Sequence, residues 1–194
     1  MKNYSRRKFI KNSGVSAIAS LAASTMLNSS CENNILSSPQ EGSYMGDFAA
    51  PKIDTIRIAI IGVGERGYGH AKHLASIQGT EIVAISDLHK DLVDRSVSDC
   101  LELGKGRHQN IARFFGDENE WKKIFEEVKL DIVIIATNWN NHAKMAIESM
   151  KQGAHCFVEV PIAVTLEEMW AIINTSELTQ KHCMMMENVN YGRE

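Results

Sequence analysis

Three glycines and one acid, set at a characteristic spacing, are the residues of this chain best suited to binding chemistry. The segment Gly62-Val63-Gly64-Glu65-Arg66-Gly67 follows an apolar, β-branched run over residues 56–61 and precedes a helical pattern. A second apolar run leads to Asp87. This order of strand, glycine turn, helix, strand and acid is typical of a βαβ unit that binds a dinucleotide.

Each of these residues has a physical reason to occupy its position. Gly62 permits a tight turn out of the strand, Gly64 lets the backbone approach a pyrophosphate, and Gly67 lets the helix pack close to the sheet. The unpaired N–H groups at the start of that helix attract phosphate. Asp87 stands where an acid accepts hydrogen bonds from the ribose hydroxyls of adenosine, and its charge repels a 2′-phosphate. The pattern therefore predicts NAD as the cofactor and disfavours NADP.

A further candidate segment, residues 137–142, follows a fully apolar run over residues 131–136. Such a run is typical of a central parallel strand. This segment leads into a predicted helix over residues 143–150. Ligands of doubly wound sheets lie beyond the carboxyl ends of the strands. We therefore predict contacts to the ribose and nicotinamide end of the cofactor from Trp139, Asn140, Asn141 and His142. The alternative for His142 is a helix-start residue without a ligand contact.

Alternating strand and helix signals continue along the chain and predict an α/β fold, a Rossmann-type doubly wound parallel sheet. The other predicted elements are helices over residues 91–103, 121–128 and 165–181 and strands over residues 113–116, 155–160 and 183–187.

Local signals set the expected ends of these elements. Gly104 is expected to stop the second helix. Two capping-box patterns are predicted, Asp117 with Glu120 and Thr165 with Glu168.

The composition is that of an ordinary globular protein, with 194 residues, 44% hydrophobic residues, 23% charged residues and a formal net charge of -3. This suffices for one α/β domain with a buried core, and the mild acidity argues against a nucleic-acid partner. The four cysteines lie far apart without a CxxC pair, so neither a zinc site nor a disulfide framework is indicated. His70 and His73 lack an acidic or thiol partner at ligand spacing. They are interpreted as surface or packing residues, and no metal site is predicted.

Several sulfur-bearing residues are expected to be buried. Cys156 and Cys183 are interpreted as small buried residues within strands. The run Met184-Met185-Met186 is interpreted as strand core.

The N-terminal segment has the features of an export signal. Ser5-Arg6-Arg7-Lys8-Phe9-Ile10-Lys11 resembles a twin-arginine signal, and a moderately apolar stretch of small residues follows over residues 15–27. That stretch is too short and too rich in Ser and Ala for a stable transmembrane helix. We expect export to the periplasm by the twin-arginine machinery, which carries folded proteins. Because the periplasm offers little free NAD, such export implies tight retention of the cofactor.

The end of this leader leaves two alternatives open. The sequence Leu27-Asn28-Ser29-Ser30-Cys31 fits a loose lipoprotein processing site, with Cys31 as the lipidated N-terminus and a membrane lipid anchor as the result. It departs from the usual pattern at Asn28, where Leu is expected, and plain cleavage within the region is the alternative. We assign residues 1–31 to the leader, residues 32–54 to a linker and residues 55–194 to the NAD-binding domain.

The motifs together resemble those of a known family. The glycine turn, Asp87, Ala136-Thr137-Asn138 with His142, and Glu159-Val160-Pro161 after the next strand resemble the Gfo/Idh/MocA oxidoreductase family. In that family a Rossmann domain precedes an α/β substrate domain built on an open sheet. Its usual motif is Glu-Lys-Pro, with the lysine active in proton transfer near the nicotinamide. Here Val160 holds the lysine position and cannot move a proton, which disfavours an ordinary alcohol dehydrogenase.

Four segments carry a narrower resemblance: Glu65-Arg66 in the glycine turn, Glu159-Val160-Pro161, residues 182–188 and Tyr191-Gly192-Arg193. They resemble glycoside hydrolase family 109, whose members are NAD-dependent α-N-acetylgalactosaminidases, often with a twin-arginine leader. The implied substrate is a glycan or glycoconjugate with terminal N-acetylgalactosamine.

The resemblance and the strand-end positions also assign the remaining cofactor contacts. Glu65 and Arg66 lie at the phosphates, where Arg66 pairs with the pyrophosphate. Glu159 and Val160 lie by the nicotinamide ribose, and Asn188 lies near the carboxamide.

The family implies a redox-assisted glycoside cleavage. NAD takes a hydride from C3 of the sugar, and the resulting ketone acidifies the proton at C2. A base removes that proton, the glycosidic oxygen leaves C1 by elimination, water adds back, and the hydride returns from NADH. The cofactor is regenerated in each cycle, in agreement with its expected retention. The two carboxylates of an ordinary glycosidase are then not required.

The family's C-terminal substrate domain is expected to be absent, because the chain stops at Glu194, just after the sixth predicted strand. The sugar pocket and the catalytic base would lie beyond that residue, so no catalytic residue is assigned. Two other functions stay open: a Gfo/Idh/MocA sugar oxidoreductase with net turnover of NAD, which Val160 argues against, and an inactive NAD-binding fragment.

Overall fold

Six strands form a single parallel sheet in the computed structural model, which describes residues 42–188. The strands are β1 (Ile56–Ile61), β2 (Thr80–Asp87), β3 (Ala112–Phe115), β4 (Ile132–Ile135), β5 (His155–Val158) and β6 (Cys183–Met185). Their spatial order is β3-β2-β1-β4-β5-β6, and all neighbours pair in parallel. The strand order reverses between β1 and β4, which is the switch point of a doubly wound sheet. The predicted fold class is confirmed.

Helices connect successive strands, as parallel pairing requires. They are α1 (Glu65–Ser76), α2 (Lys90–Gly104), a 3₁₀ helix (Glu120–Lys123), α3 (Ile124–Glu127), α4 (Trp139–Lys151) and α5 (Leu166–Thr179). None of the helices between residues 42 and 188 is long and apolar enough to span a membrane.

The strand side chains alternate between two buried layers, because successive residues of a strand point to opposite faces. Ile58 and Ile60 of β1 pack in one layer with residues of α1 and α2, among them Val93. Ala59 and Ile61 pack in the other layer with residues of α4 and α5. The β-branched strands are thus covered on both faces, which holds their carboxyl ends in a fixed register.

The cysteines of the described part of the chain lie within these layers to different extents. Cys156 is fully buried on β5, as predicted, whereas Cys183 on β6 is only half-buried. Burial raises the pKa of the Cys100 thiol on α2 to about 12, with a smaller contribution from Asp99, so this thiol stays protonated near neutral pH.

Two methionines depart from the prediction of strand core. Met184 and Met185 are each 41% exposed. Strand β6 is the last of the sheet and pairs only with β5 in the described part of the chain, so its side chains have neighbours on one side only. A run of apolar residues does not distinguish an edge strand from a central one, which is why the prediction was wrong.

One of the two predicted capping boxes is present. The hydroxyl of Thr165 accepts a hydrogen bond from the Glu168 N–H at 3.1 Å, and the Glu168 carboxylate accepts one from the Thr165 N–H at 3.2 Å. The box predicted at Asp117 is wrong, because its carboxylate accepts from the Asn119 N–H at 2.8 Å within a turn. The segment that follows begins as a 3₁₀ helix without a side-chain cap.

Two helix boundaries also differ from the prediction. Helix α4 begins at Trp139, four residues before the predicted start at residue 143, so the predicted loop contributes the first helical turn. Gly104 is the last residue of α2 and does not follow it; Lys105 takes the left-handed conformation at the helix end, with φ of 49°.

The part of the predicted linker that the structure describes, residues 42–54, contains no helix or strand. Its backbone meets the end of α5, where the Ser43 N–H donates to the Glu177 carbonyl at 3.3 Å. The predicted leader, Tyr191 and Arg193 lie outside the described residues.

The amino edge of the sheet is held by an ion pair between β1 and the residue before β4. The Arg57 guanidinium donates to both carboxylate oxygens of Asp131, at 2.7 and 3.0 Å, and the Arg57 backbone N–H donates to the same group at 2.9 Å. These hydrogen bonds hold the pKa of Asp131 below its usual range, against the opposing effect of partial burial.

Because of this ion pair, we expect the free energy of unfolding to depend on pH. Because the folded-state pKa of Asp131 is lowered, its contribution is complete above the unfolded-state pKa and disappears as the pH falls through the folded-state pKa. We expect Asp131→Asn to lower the free energy of unfolding by about 1–2 kcal/mol at neutral pH, after allowance for partial exposure. The difference from the wild type is expected to shrink below about pH 4. Urea unfolding of the wild type and of Asp131→Asn at several pH values measures this difference.

Asp94→Asn is the matched control for this prediction. Asp94 also pairs with two cations, Lys90 and Arg113, but these side chains are largely exposed. Its replacement is expected to cost less than about 0.5 kcal/mol. A constant difference between the wild type and Asp131→Asn from neutral to strongly acidic pH would contradict the proposed contribution.

Candidate functional site

A cleft of about 340 Å³ lies at the carboxyl edge of the sheet, where β1, β2 and β4 end. Its lining comprises Ile61, Gly62, Gly64, Ser86, Asp87, Leu88, His89, Leu92, Asp117, Glu118, Trp121, Ala136, Thr137, Asn138, Asn141 and Met145. Four residues that the sequence predicts as contacts are thus brought together: Gly62, Gly64, Asp87 and Asn141. The sequence did not identify the contribution of the segment after β3.

The backbone of the glycine turn leaves no room for side chains at two positions. Gly62 has φ of 84°, and a Cβ there would lie 2.6 Å from the Ala136 carbonyl oxygen. A Cβ on Gly67 would lie 1.8 Å from the Gly62 carbonyl oxygen. The steric reasons expected for these two glycines are present in the structure.

Gly64 differs from its two neighbours in the motif. A Cβ at this position would meet no atom of the described residues within 4 Å, because the position faces the open cleft. The fold therefore does not require glycine here. The absence of a side chain instead keeps a space free beside the start of α1.

The start of α1 presents backbone donors beside this space. Gly64 is the N-cap residue and supplies no side-chain hydrogen bond to the first turn, so the first N–H groups of the helix lack intrahelical partners. Glu65 and Arg66 occupy this turn and are both exposed. A helix N-terminus of this kind favours an anionic group such as a phosphate.

Asp87 ties the end of β2 to the glycine turn. One carboxylate oxygen accepts from the Val63 N–H at 2.8 Å, and the other accepts from the His89 N–H at 3.0 Å. An ionised carboxylate offers about four acceptor positions, so both oxygens can accept further hydrogen bonds from a ligand. The backbone thereby fixes an acceptor group in the cleft before any ligand arrives.

A charged network joins α1 to the end of β5. The Glu159 side chain, in a residue only 8% exposed, lies 2.6 Å from the His70 Nε2 and 3.6 Å from the Arg66 Nε. The network orients a carboxylate beside the glycine turn. His70 was interpreted from the sequence as a surface or packing residue, and its 89-residue separation from Glu159 gives no local signal of this contact.

His142 connects the loops that follow β4 and β5. Its ring is 1% exposed, with Nδ1 2.7 Å from the Pro161 carbonyl oxygen and Nε2 3.1 Å from the Thr137 carbonyl oxygen. This placement matches the alternative of a helix-start residue, since the ring holds two loops at their positions. A direct contact of His142 with a cofactor stays a prediction.

Nine of the predicted contacts are not among the cleft-lining residues: Glu65, Arg66, Gly67, Trp139, Asn140, His142, Glu159, Val160 and Asn188. Trp139 and Asn140 are exposed on the first turn of α4, Val160 is half-buried after β5, and Asn188 is exposed after β6. They share the carboxyl edge of the sheet with the cleft, as their strand-end positions predict. Their cofactor contacts stay predictions.

Comparison with known proteins agrees with a dinucleotide-binding site in this cleft. The GFO_IDH_MocA family model, described as "Oxidoreductase family, NAD-binding Rossmann fold", matches residues 56–187. Among solved structures, apo scyllo-inositol dehydrogenase from Lactobacillus casei aligns with a TM-score of 0.57 at 22% identity, over 69% of this chain and 36% of that chain. This likeness shows the fold alone.

Curated relatives match along the whole chain. A "Glycosyl hydrolase family 109 protein" from Shewanella sp. (strain W3-18-1) is 43% identical over 194 residues, which cover 100% of this chain and 41% of that protein. "Glycosyl hydrolase family 109 protein 2" from Akkermansia muciniphila is 44% identical over 98% of this chain and 42% of that protein. An "Alpha-N-acetylgalactosaminidase" from Shewanella oneidensis is 42% identical over 100% of this chain and 41% of that protein.

The chain thus spans about two fifths of the length of these relatives. The family model covers most of the chain and coincides with the six-stranded sheet and its cleft. The chain belongs to the Gfo/Idh/MocA oxidoreductase family, of which it carries the NAD-binding Rossmann domain.

Proposed function

We propose that the described domain holds NAD and that the whole protein is a glycosidase that removes terminal α-N-acetylgalactosamine. The observation that carries this proposal is the glycine turn beside Asp87, in a chain 43% identical along its full length to a glycosyl hydrolase family 109 protein. The substrate class comes from the name of the Shewanella oneidensis relative.

The residues of the cleft fit NAD. The free space at Gly64 and the backbone donors of α1 suit a pyrophosphate. Asp87 is placed to accept hydrogen bonds from ribose hydroxyls. Asp117 and Glu118 add two more carboxylates to the lining and disfavour the additional phosphate of NADP.

Bound NAD would supply reversible hydride transfer at C3 of the sugar, which allows elimination at C1 and C2 without net production of NADH. In this proposal Glu159, held by His70 and Arg66, contacts the nicotinamide ribose, and Asn188 lies near the carboxamide. Val160 provides an apolar surface where the usual family lysine would move a proton. The base that removes the C2 proton is then not the residue at position 160, and we propose that it belongs to another part of the whole protein.

An aryl α-N-acetylgalactosaminide assay tests this function. It uses the 194-residue chain and a longer chain that includes the family's substrate domain, both loaded with NAD. We expect the longer chain to release the phenol without accumulation of NADH. Net NADH production from free sugar would favour the sugar oxidoreductase, and absence of cleavage by the NAD-loaded longer chain would contradict the glycosidase proposal. Cleavage by the longer chain alone would assign the 194 residues to cofactor binding.

We also propose export by the twin-arginine machinery, with a lipid anchor at Cys31. Support comes from the Arg6-Arg7 pair and the small-residue stretch that follows, both outside the described residues. Replacing Arg6 and Arg7 with lysine is expected to leave the protein in the cytoplasm in cell fractionation. Cys31→Ser is expected to release it from the membrane into the periplasm, and unchanged fractionation of both variants would contradict the proposal.

A further inference from the structure

One buried polar group of the cleft lacks a hydrogen-bond partner. Trp121, in the 3₁₀ helix Glu120–Lys123, is 3% exposed and is one of the residues that line the cleft. Within residues 42–188, its indole Nε1–H has no partner. The ring is fixed by edge-to-face packing on Phe125, with ring centroids 6.2 Å apart and an interplanar angle of 85°.

An unpaired buried donor at this position is unusual. A buried donor without a partner costs about 1–3 kcal/mol, and buried tryptophans usually find an acceptor for the indole N–H. Because the ring is packed on both α3 and the sheet layer, the N–H cannot readily turn toward bulk water. A ligand acceptor in the cleft would remove this cost, which makes the unpaired N–H evidence for a contact.

The position of Trp121 in the sheet indicates which part of a dinucleotide it meets. Trp121 follows β3, the strand next to β2, and the glycine turn follows β1 on the other side of β2. Asp117 and Glu118 precede Trp121 in the segment after β3 and line the cleft with it, and Asp87 ends the neighbouring strand β2. The Lys122 ammonium lies 5.9 Å from the Trp121 ring centroid, but the cleft lining within residues 42–188 contains three carboxylates and no lysine or arginine, which favours a neutral acceptor over a phosphate.

We infer that Trp121 donates its indole N–H to an acceptor on the adenosine half of NAD, an adenine nitrogen or a ribose oxygen. This inference rests on the proposed NAD binding and adds a binding residue outside the glycine turn and the strand-end motifs. Sequence patterns did not identify Trp121 because it lies in the predicted helix over residues 121–128 and resembles an ordinary core aromatic.

Trp121→Phe is the direct test, because it keeps an aromatic ring and removes the donor. Calorimetric titration of the full chain with NAD and AMP is expected to give dissociation constants about tenfold weaker than in the wild type. Binding of nicotinamide mononucleotide, which lacks adenosine, is expected to be unchanged, and a merely structural disturbance would weaken all three ligands. The matched control is Trp170→Phe, since Trp170 is half-buried on α5 and outside the cleft lining.

A second measurement on the wild type covers the case in which Trp121→Phe does not fold. The chain has three tryptophans, so its indole N–H resonances in a proton–nitrogen NMR spectrum are assigned by Trp139→Phe and Trp170→Phe. Addition of AMP is expected to shift the Trp121 indole proton downfield and to slow its exchange with water.

Two results would overturn the inference alone: a wild type that binds AMP without a change in this resonance, or Trp121→Phe with wild-type affinity for NAD and AMP. A wild type that binds neither NAD nor AMP would contradict the proposed cofactor function and, with it, this inference.

Discussion

Gly67→Ala is expected to destabilise the domain strongly and to abolish NAD binding. The new Cβ would lie 1.8 Å from the Gly62 carbonyl oxygen, which is a backbone atom of the turn that leaves β1. Since neither the helix nor the turn can move without breaking its own packing, we expect a loss of about 3 kcal/mol or more in the free energy of unfolding. This corresponds to a fall in Tm on the order of 10 °C. Thermal unfolding and NAD titration measure the two effects.

Two other glycines separate the effect on folding from the effect on binding. Gly69→Ala lies one helical turn away from the N-terminus of α1, where a Cβ would meet no described atom within 4 Å. It is expected to raise the stability by about 0.5–1 kcal/mol through helix propensity and to bind NAD normally. Gly64→Ala is expected to lose no more than about 1 kcal/mol of stability, since alanine is a poorer N-cap residue than glycine, and to bind NAD at least about tenfold more weakly, because its Cβ enters the cleft.

The three glycine variants therefore have distinct expected outcomes. Wild-type stability and NAD affinity in Gly67→Ala would contradict the steric account of the turn. If Gly67→Ala is destabilised but Gly64→Ala binds NAD with wild-type affinity, the steric role of Gly67 is supported. The proposed position of the pyrophosphate beside Gly64 is then contradicted.

Asp87→Ala is expected to weaken NAD binding by about 1–3 kcal/mol, because a charged acceptor of ligand hydroxyls is lost. A stability cost accompanies this loss, since the Val63 N–H, in a fully buried residue, also loses its acceptor. The unliganded variant is therefore expected to melt below the wild type. Calorimetric titration with NAD, together with thermal unfolding, measures both consequences.

The selectivity between NAD and NADP is a second, independent measurement of the role of Asp87. Asp87→Asn removes the negative charge and keeps an acceptor oxygen, so the preference for NAD over NADP is expected to narrow while NAD binding falls less than in Asp87→Ala. Asp91→Ala removes the same charge from the exposed first turn of α2 and is the control, with unchanged NAD affinity. Unchanged affinity and selectivity in both Asp87 variants would contradict its role.

The elements that the sequence predicts well are those determined by local chemistry. Gly62 and Gly67 leave no room for a side chain, and Asp87 accepts a hydrogen bond from the backbone of the glycine turn. The structure brings Gly62, Gly64 and Asp87 to one cleft. The capping box at Thr165 was also predictable, because both of its hydrogen bonds lie within one turn.

The capping-box prediction was wrong at Asp117, because the N–H groups of Asn119 and Glu120 compete for its carboxylate. The Asp117 carboxylate bonds the Asn119 N–H two residues on, which forms a tight turn in place of a capping box. The start of α4 was placed too late because Trp139, Asn140 and Asn141 have only modest helix propensity. In the structure they are nevertheless helical, starting at an N-cap, Asn138, that makes no side-chain capping bond.

The features that escaped prediction depend on contacts between distant parts of the chain. Strand order decides that β6 lies at the edge and leaves Met184 exposed, and no local pattern encodes it. The pairing of His70 with Glu159 joins a helix to a strand end far along the sequence. The unpaired indole of Trp121 is visible only when the whole cleft is assembled.

The most direct test of NAD binding is the mass of the purified protein under native and denaturing conditions, followed by titration with NAD. We expect a native mass that exceeds the chain mass by one NAD, or uptake of one NAD per chain when the cofactor has been lost in purification. The released molecule is expected to have the absorbance of NAD. A folded protein that neither carries NAD nor takes it up would contradict the proposed NAD binding.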